Sequence, residues 1–249
     1  MTVDVEMDKF GRQFLSVGHD MGSITNISDI VTHMHTCVVG IDEVGRGPLA
    51  GPVAVGVVRT PGSFDFLSKL PGVNDSKKLS EVKREELYKL AYRLRKQGEI
   101  DWSVAMVSAS VIDKRGIQFA IRTAMKRGLH KVCSAPSRTE AGPMEARISI
   151  GPASVRVLLD GGLKAPEEFV YQETIIKGDV KEPTIGLASI VAKVTRDRYM
   201  RRLSKLAAYA PYDFAAHKGY GTKAHRAAIA EHGLSPEHRA SYCTNIVLL

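Results

Sequence analysis

The sequence predicts an α/β protein: a mixed sheet flanked by helices, followed by a helical and basic C-terminal part. Three observations carry that prediction. Apolar, β-branched runs come early and then alternate with segments of helical period. Each helical segment has apolar residues at i, i+3, i+4 and i+7. Lysine and arginine crowd into one late stretch, 193–226.

Residues 1–36 mix Gly, Ser, Asn and His without a period and read as an N-terminal extension. From Cys37 the texture changes. CVVGIDEV and residues 53–58 (VAVGVV) are two strands in a hairpin-like relation, split by a Gly/Pro loop. Leu87, Leu90, Ala91 and Leu94 form a helical stripe, with Ser80 as its N-cap. Ile100, Trp102, Val104 and Met106 alternate with Asp101, Ser103 and Ala105, a third strand with one buried face. Ile117, Ala120, Ile121 and Ala124 repeat the helical spacing. Residues 134–153 break every period with Pro, Gly and Ser and read as a surface insertion. Val155, Val157 and Leu159 alternate ahead of Asp160, a fourth strand, and 174–177 is a short fifth. Leu187, Ile190, Val191 and Val194 give another helix, with Pro183 near its first turn. A last helix runs over 222–232 and closes at Gly233, leaving 234–249 as a C-terminal tail. The domain is expected over 37–233.

Composition removes several classes. With 44% hydrophobic residues in 249, the chain is too apolar for intrinsic disorder and can bury a sizeable core. No run approaches the roughly 18 apolar residues of a membrane span; the longest, 50–58, is broken by Gly51, Pro52 and Gly56. Asp4, Glu6 and Asp8 stand where a secretory signal would be basic, so a cytoplasmic location without membrane association is expected. Cys37, Cys133 and Cys243 are odd in number and far apart, which suits buried or idle thiols in a reducing compartment. Within 193–226, nine Lys or Arg face only Asp197 and Asp213, a surplus of seven out of a net charge of +8. A solvated basic face is the simpler account of that stretch, and a phosphate-backbone partner the sharper one. His217, His225, His232 and His238 follow no HExxH pattern, and none is assigned to a metal.

The chemistry sits in the acids. Asp42 and Glu43 end one apolar strand, Asp160 ends another, and Asp179 follows the short fifth strand. A single Asp at a strand end is ordinarily a turn or cap residue. Two adjacent carboxylates closing a buried strand are costly unless a cation compensates them. If the strands are neighbours, the four acids converge on one sheet edge as hard oxygen ligands for Mg²⁺ or Mn²⁺. Adjacent strand residues point to opposite faces, so Asp42 and Glu43 share a site only if the strand ends there. Gly45-Arg46-Gly47 is neither a Walker A loop nor GxGxxG, but beside carboxylates it could offer amide donors and a guanidinium to a phosphate.

GIDEVGRGPLAGPV, NDSKKLS, LLDGG, KGD, ASIVAKVTRD and HKGYGT occur in this order, and together they closely resemble ribonuclease HII over about 38–233. The resemblance implies a ribonuclease H-like fold. It implies metal-binding catalytic carboxylates at Asp42, Glu43, Asp160 and Asp179, with Asp197 a structural acid. It also implies that Gly45, Arg46 and Gly47 approach the ribonucleotide, that Tyr220 stacks on the sugar past the RNA–DNA junction, and that Lys77 and Lys193 contact substrate. The implied enzyme is a monomeric endonuclease using Mn²⁺ or Mg²⁺, with two ions about 4 Å apart. It hydrolyses the RNA strand of an RNA/DNA hybrid and nicks 5′ to a ribonucleotide in duplex DNA, leaving 5′-phosphate and 3′-hydroxyl ends. Such an activity serves ribonucleotide removal. The extension is too short for the N-terminal domain usual in ribonuclease HIII. Three rivals stand beside this reading: a ribonuclease HIII-like hybrid nuclease, a DNA-only nuclease or strand-transfer enzyme, and a non-catalytic nucleic-acid-binding protein.

Overall fold

The computed structural model describes residues 4–7, 13–16, 37–73, 79–133 and 152–247. Chain contacts divide the protein into two units, Met1–Met34 and His35–Leu249. In the first, β1 (Asp4–Met7) and β2 (Gln13–Ser16) pair antiparallel, Asp4 opposite Ser16. The sequence carries no strand signal there.

The second unit is built on a five-stranded mixed sheet. Its strands are β3 (Cys37–Val44), β4 (Val53–Pro61), β5 (Asp101–Val107), β6 (Val155–Asp160) and β7 (Gln172–Ile175), in the order β5-β4-β3-β6-β7. β3 runs antiparallel to β4 and parallel to β6, and β6 runs parallel to β7. The central strands are buried on both faces, so they read as continuous apolar runs rather than alternating ones.

Among the described residues, five helices longer than one turn accompany the sheet: α1 (Glu81–Gln97), α2 (Ala109–Arg115), α3 (Ile117–Cys133), α4 (Pro183–Leu203) and α5 (Lys223–His232). Ser80 caps α1 through the Lys83 amide, and Gly98 ends it in the left-handed region at φ 81°. Thr222 caps α5 through the His225 amide. Helix α3 packs Ala124, Met125 and Leu129 against Val53, Val55 and Val57 on one sheet face. On the other, Leu187, Ile190 and Val191 of α4 join Leu87 and Ala91 of α1 around Val58 and Trp102. That face admits α4 very closely. A Cβ on Gly56 would stand 2.2 Å from the Ala188 carbonyl oxygen, and one on Gly40 would stand 2.4 Å from the Thr184 backbone. Two glycines on neighbouring strands therefore set the depth of α4 against the sheet.

Two segments differ from the sequence reading. The fifth strand lies at Gln172–Ile175 rather than 174–177, because Lys177 turns to φ 58° and opens a one-turn helix, Gly178–Lys181. The stretch 234–249, read as a tail, supplies Arg239, Cys243 and Ile246 to the interior beside Leu49, Met200 and Phe214. Polar residues at 235–241 hide that role in the sequence. The 134–153 insertion lies outside the described residues except for its last two positions. Among the described residues, no helix is long and apolar enough to cross a membrane.

Candidate active site

The parallel register places Ile41 beside Leu159 and Asp160 beside Ile175. Asp42 and Asp160 therefore leave the sheet at the same edge, and Asp179 follows β7 at that edge too. Asp42 and Glu43 lie on opposite faces of β3, but the strand ends one residue later at Val44, and both open onto one cleft. The cleft has a volume of about 420 Å³, and Asp42, Glu43 and Asp160 line it together.

Electrostatics there are strained. Burial pushes the Asp42 carboxyl up to about 7, a hydrogen bond with Ser189 opposes that rise, and the charges of Glu43 and Asp160 add to it. Asp42 Oδ1 accepts from the Glu43 amide at 2.8 Å. Burial also raises Glu43, against the pull of Arg46, whose Nη1 donates to Oε1 at 3.2 Å. Glu43 Oε2 is buried and has no hydrogen-bond partner. Asp160 Oδ1 accepts from the Gly178 amide at 2.6 Å. Two buried carboxyls with raised pKa and an orphaned oxygen in a hard-oxygen donor set fit a divalent cation. Asp179 stands apart from this group. It is fully buried on the one-turn helix and does not line the cleft. Among the described residues, no three Asp, Glu, His or Cys side chains close into a ready-made metal cage.

Lys193 and Tyr220 line the same cleft. Lys193 Nζ lies 2.9 Å from Asp197 Oδ1 and 5.8 Å from the centre of the Tyr220 ring. Tyr220 is 43% exposed, enough to present a ring face to a ligand. Its loop is tied down from behind. His225 Nδ1 and the Tyr220 carbonyl are 2.9 Å apart, His225 Nε2 and His238 Nε2 3.0 Å, and His238 Nδ1 accepts from the Ser235 amide at 2.9 Å. Because a carbonyl and an amide fix the two ends, His225 carries its proton on Nδ1 and His238 on Nε2. Burial pulls both histidines down to about 4.

Gly45, Arg46 and Gly47 form the rim. Gly45 has φ 90°, and a Cβ there would stand 2.3 Å from Arg196 Nε. A Cβ on Gly47 would meet nothing within 4 Å, so its backbone is open to a ligand. Lys77 lies outside the described residues.

Two polar residues of the lining, Ser189 and Arg84, are not among the site residues the sequence singles out. Ser189 stands inside the ASIVAKVTRD motif, and its position one turn before Lys193 was the available signal. Arg84, on α1, donates to the Leu79 carbonyl and has no motif signal. The basic stretch is also less free than its charge suggests. Arg196 is fully buried, and Arg198 and Arg201 pair with Glu85 of α1 at 2.5 Å and 3.0 Å. The amphipathic period of α1 does not reveal that its acids neutralise α4.

Fold and cleft together define a ribonuclease H-type endonuclease. The family model described as Ribonuclease HII matches residues 39–245. Ribonuclease HII of Clostridioides difficile (strain 630) is 40% identical over 208 residues, 84% of this chain and 70% of that protein. Ribonuclease HII of Bacillus cereus (strain Q1) is 43% identical over 207 residues, 83% of this chain and 69% of that one. The chain belongs to the ribonuclease HII family, whose members are metal-dependent endonucleases acting on nucleic acid. Among solved structures, ribonuclease H2 from Pyrococcus horikoshii OT3 superposes with a TM-score of 0.58 at 23% identity, over 84% of this chain and 96% of that one. Bst-RNase HIII in complex with Mn²⁺ gives a TM-score of 0.60 at 18% identity, over 94% and 76%. RNase HII of Archaeoglobus fulgidus, solved as a complex with PCNA, gives 0.57 at 28%, over 81% and 93%.

Proposed function

We propose that this protein nicks duplex DNA on the 5′ side of an embedded ribonucleotide and hydrolyses the RNA strand of RNA/DNA hybrids, leaving 5′-phosphate and 3′-hydroxyl ends. The observation that carries the reading is the meeting of Asp42, Glu43 and Asp160 in one cleft that Tyr220 also lines. Asp42, Glu43 and Asp160 would hold Mn²⁺ or Mg²⁺, and Asp179 would join them only by a shift of the one-turn helix that buries it behind the same sheet edge. Bound divalent ions supply a water of lowered pKa and neutralise charge on the departing oxygen. Ser189 orients Asp42 by its hydrogen bond. The open backbone at Gly47 lies against the ribose, where the 2′-hydroxyl distinguishes RNA from DNA. Tyr220 stacks on the deoxyribose that follows, and Arg46, Lys77 and Lys193 hold phosphates. The protein acts as a monomer in the cytoplasm, in the removal of ribonucleotides from DNA.

The test uses two duplexes identical but for one ribose, each incubated with Mg²⁺, with Mn²⁺ and with chelator, and the product ends mapped. A cut 5′ to the ribonucleotide, abolished by chelator and absent from the all-DNA duplex, is the expected result. Equal cutting of the all-DNA duplex, or none of either, overturns the reading.

A further inference from the structure

We propose that Arg196 is a positioning residue whose buried guanidinium sets the spacing between the Gly45–Gly47 loop and the Tyr220 loop, and thereby the preference for a single ribonucleotide over a continuous hybrid. The inference rests on the proposed roles of Gly47 and Tyr220.

Arg196 has no exposed surface. Its hydrogen bonds go to main-chain carbonyls. Nε donates to Pro52 O at 2.8 Å and Nη2 to Ala50 O at 3.1 Å, both on the segment that follows the glycine loop. Nη1 donates to Lys218 O at 2.9 Å, on the segment that leads into Tyr220. One rigid fork therefore grips two loops that are far apart in sequence. A lysine offers a point charge on a flexible stem and cannot reproduce that fork.

Its surroundings agree. The backbone at Gly45 lies directly on the guanidinium, which leaves no room for a side chain there. The Tyr220 ring centre is 5.9 Å from Arg196 Cζ. The same two loops are cross-tied by the amides of Leu49 and Ala50, which donate to Gly219 O at 2.8 Å and 3.3 Å. Arg239 is the instructive neighbour. It is equally buried and donates to the carbonyls of Gly45, Arg46 and Gly51, so it braces the first loop alone. Of the two arginines, Arg196 is the one that reaches both loops.

A ribose–deoxyribose junction must satisfy the glycine loop and the tyrosine at once, one on each side of the junction. A continuous hybrid offers a ribose at every step and depends less on that spacing. Loosening the fork should therefore cost more at a junction, as small misplacements of positioning groups do.

Arg196→Lys tests this by comparing kcat/KM on a single-ribonucleotide duplex and on a continuous RNA/DNA hybrid, with the thermal midpoint recorded for both proteins. The expected result is a fall of about tenfold or more in the junction-to-hybrid ratio. An equal fall on both substrates marks a merely structural arginine and overturns the proposal, as does an unchanged ratio. If Arg196→Lys does not fold, Gly219→Ala carries the same test. Its Cβ would stand 2.3 Å from Ala50 O, the carbonyl that Arg196 Nη2 also meets, and force the two loops apart while the guanidinium itself is kept. Wild-type protein that cuts neither substrate overturns the underlying functional reading instead, and shows itself without any substitution.

Discussion

Asp42, Glu43 and Asp160 at the sheet edge and Arg196 and Arg239 beneath the adjoining loops are two sets of charge in one small region, and they are satisfied in opposite ways. The arginines are fully buried, yet the guanidinium nitrogens donate to loop carbonyls, so each buried cation is solvated by backbone. The carboxylates repel one another, burial pushes the Asp42 carboxyl up to about 7, and Glu43 Oε2 has no partner. The difference separates architecture from chemistry. A buried charge that is saturated holds loops in place, and a buried charge left unsatisfied at the mouth of a cleft awaits a ligand.

The comparison breaks most sharply at Asp42. Asp42→Asn should lower cleavage by about 10³-fold or more, since several kcal/mol of transition-state stabilisation act through this group, while duplex affinity stays within a few-fold. Cleavage rates and a binding titration on the same duplex check it, and retained activity would return Asp42 to the architectural set. Tyr220→Ala comes next. Loss of one stacking platform, about 1–3 kcal/mol, predicts a fall of about ten- to hundredfold at a single ribonucleotide. An unchanged rate would make the ring a packing residue.

Smaller effects sharpen the contrast between free and spent cations. Arg84→Ala, which removes a guanidinium that donates to a neutral carbonyl, should weaken duplex binding a few-fold and flatten the log–log salt dependence by about one unit per phosphate lost. Arg198→Ala, whose charge is already spent on Glu85, should leave that slope alone. Smallest is a pH effect on the fold. His225 and His238 have folded values near 4, below the ordinary 6.5, so the unfolded chain binds more protons between those limits. Their contribution to stability is complete above pH 6.5 and is lost as pH falls towards 4. A His225→Leu/His238→Leu variant should therefore show a weaker dependence of thermal midpoint on pH across that window than the wild type.

Much of this was legible in the sequence. Strand runs such as CVVGIDEV, the Ser80 cap and the stripe from Leu187 to Val194 depend on local chemistry, and local chemistry is written in neighbouring residues. The acids at strand ends were legible for the same reason, and their convergence followed once β3, β6 and β7 were parallel. What stayed hidden depends on long-range contact. The period of α4 shows which face is apolar, but not that Arg196 turns inward to carbonyls from residues 50, 52 and 218. A polar run at 235–241 conceals a buried Arg239 for the same reason. Asp179 reads like its fellow acids, yet a left-handed turn at Lys177 places it on a helix and away from the cleft lining.

The claim that the acidic edge is unsatisfied until a cation arrives can be measured without substrate. Thermal unfolding of wild type and Asp42→Asn at pH about 8, without metal and with saturating Mn²⁺, compares the two states directly. A carboxyl raised from 3.8 to about 7 opposes folding once ionised, so metal-free Asp42→Asn should be the more stable protein, by at most about 4 kcal/mol. Mn²⁺ should then raise the midpoint of the wild type and leave the variant nearly unmoved. Equal shifts in both proteins, or a variant less stable than wild type without metal, would contradict the account.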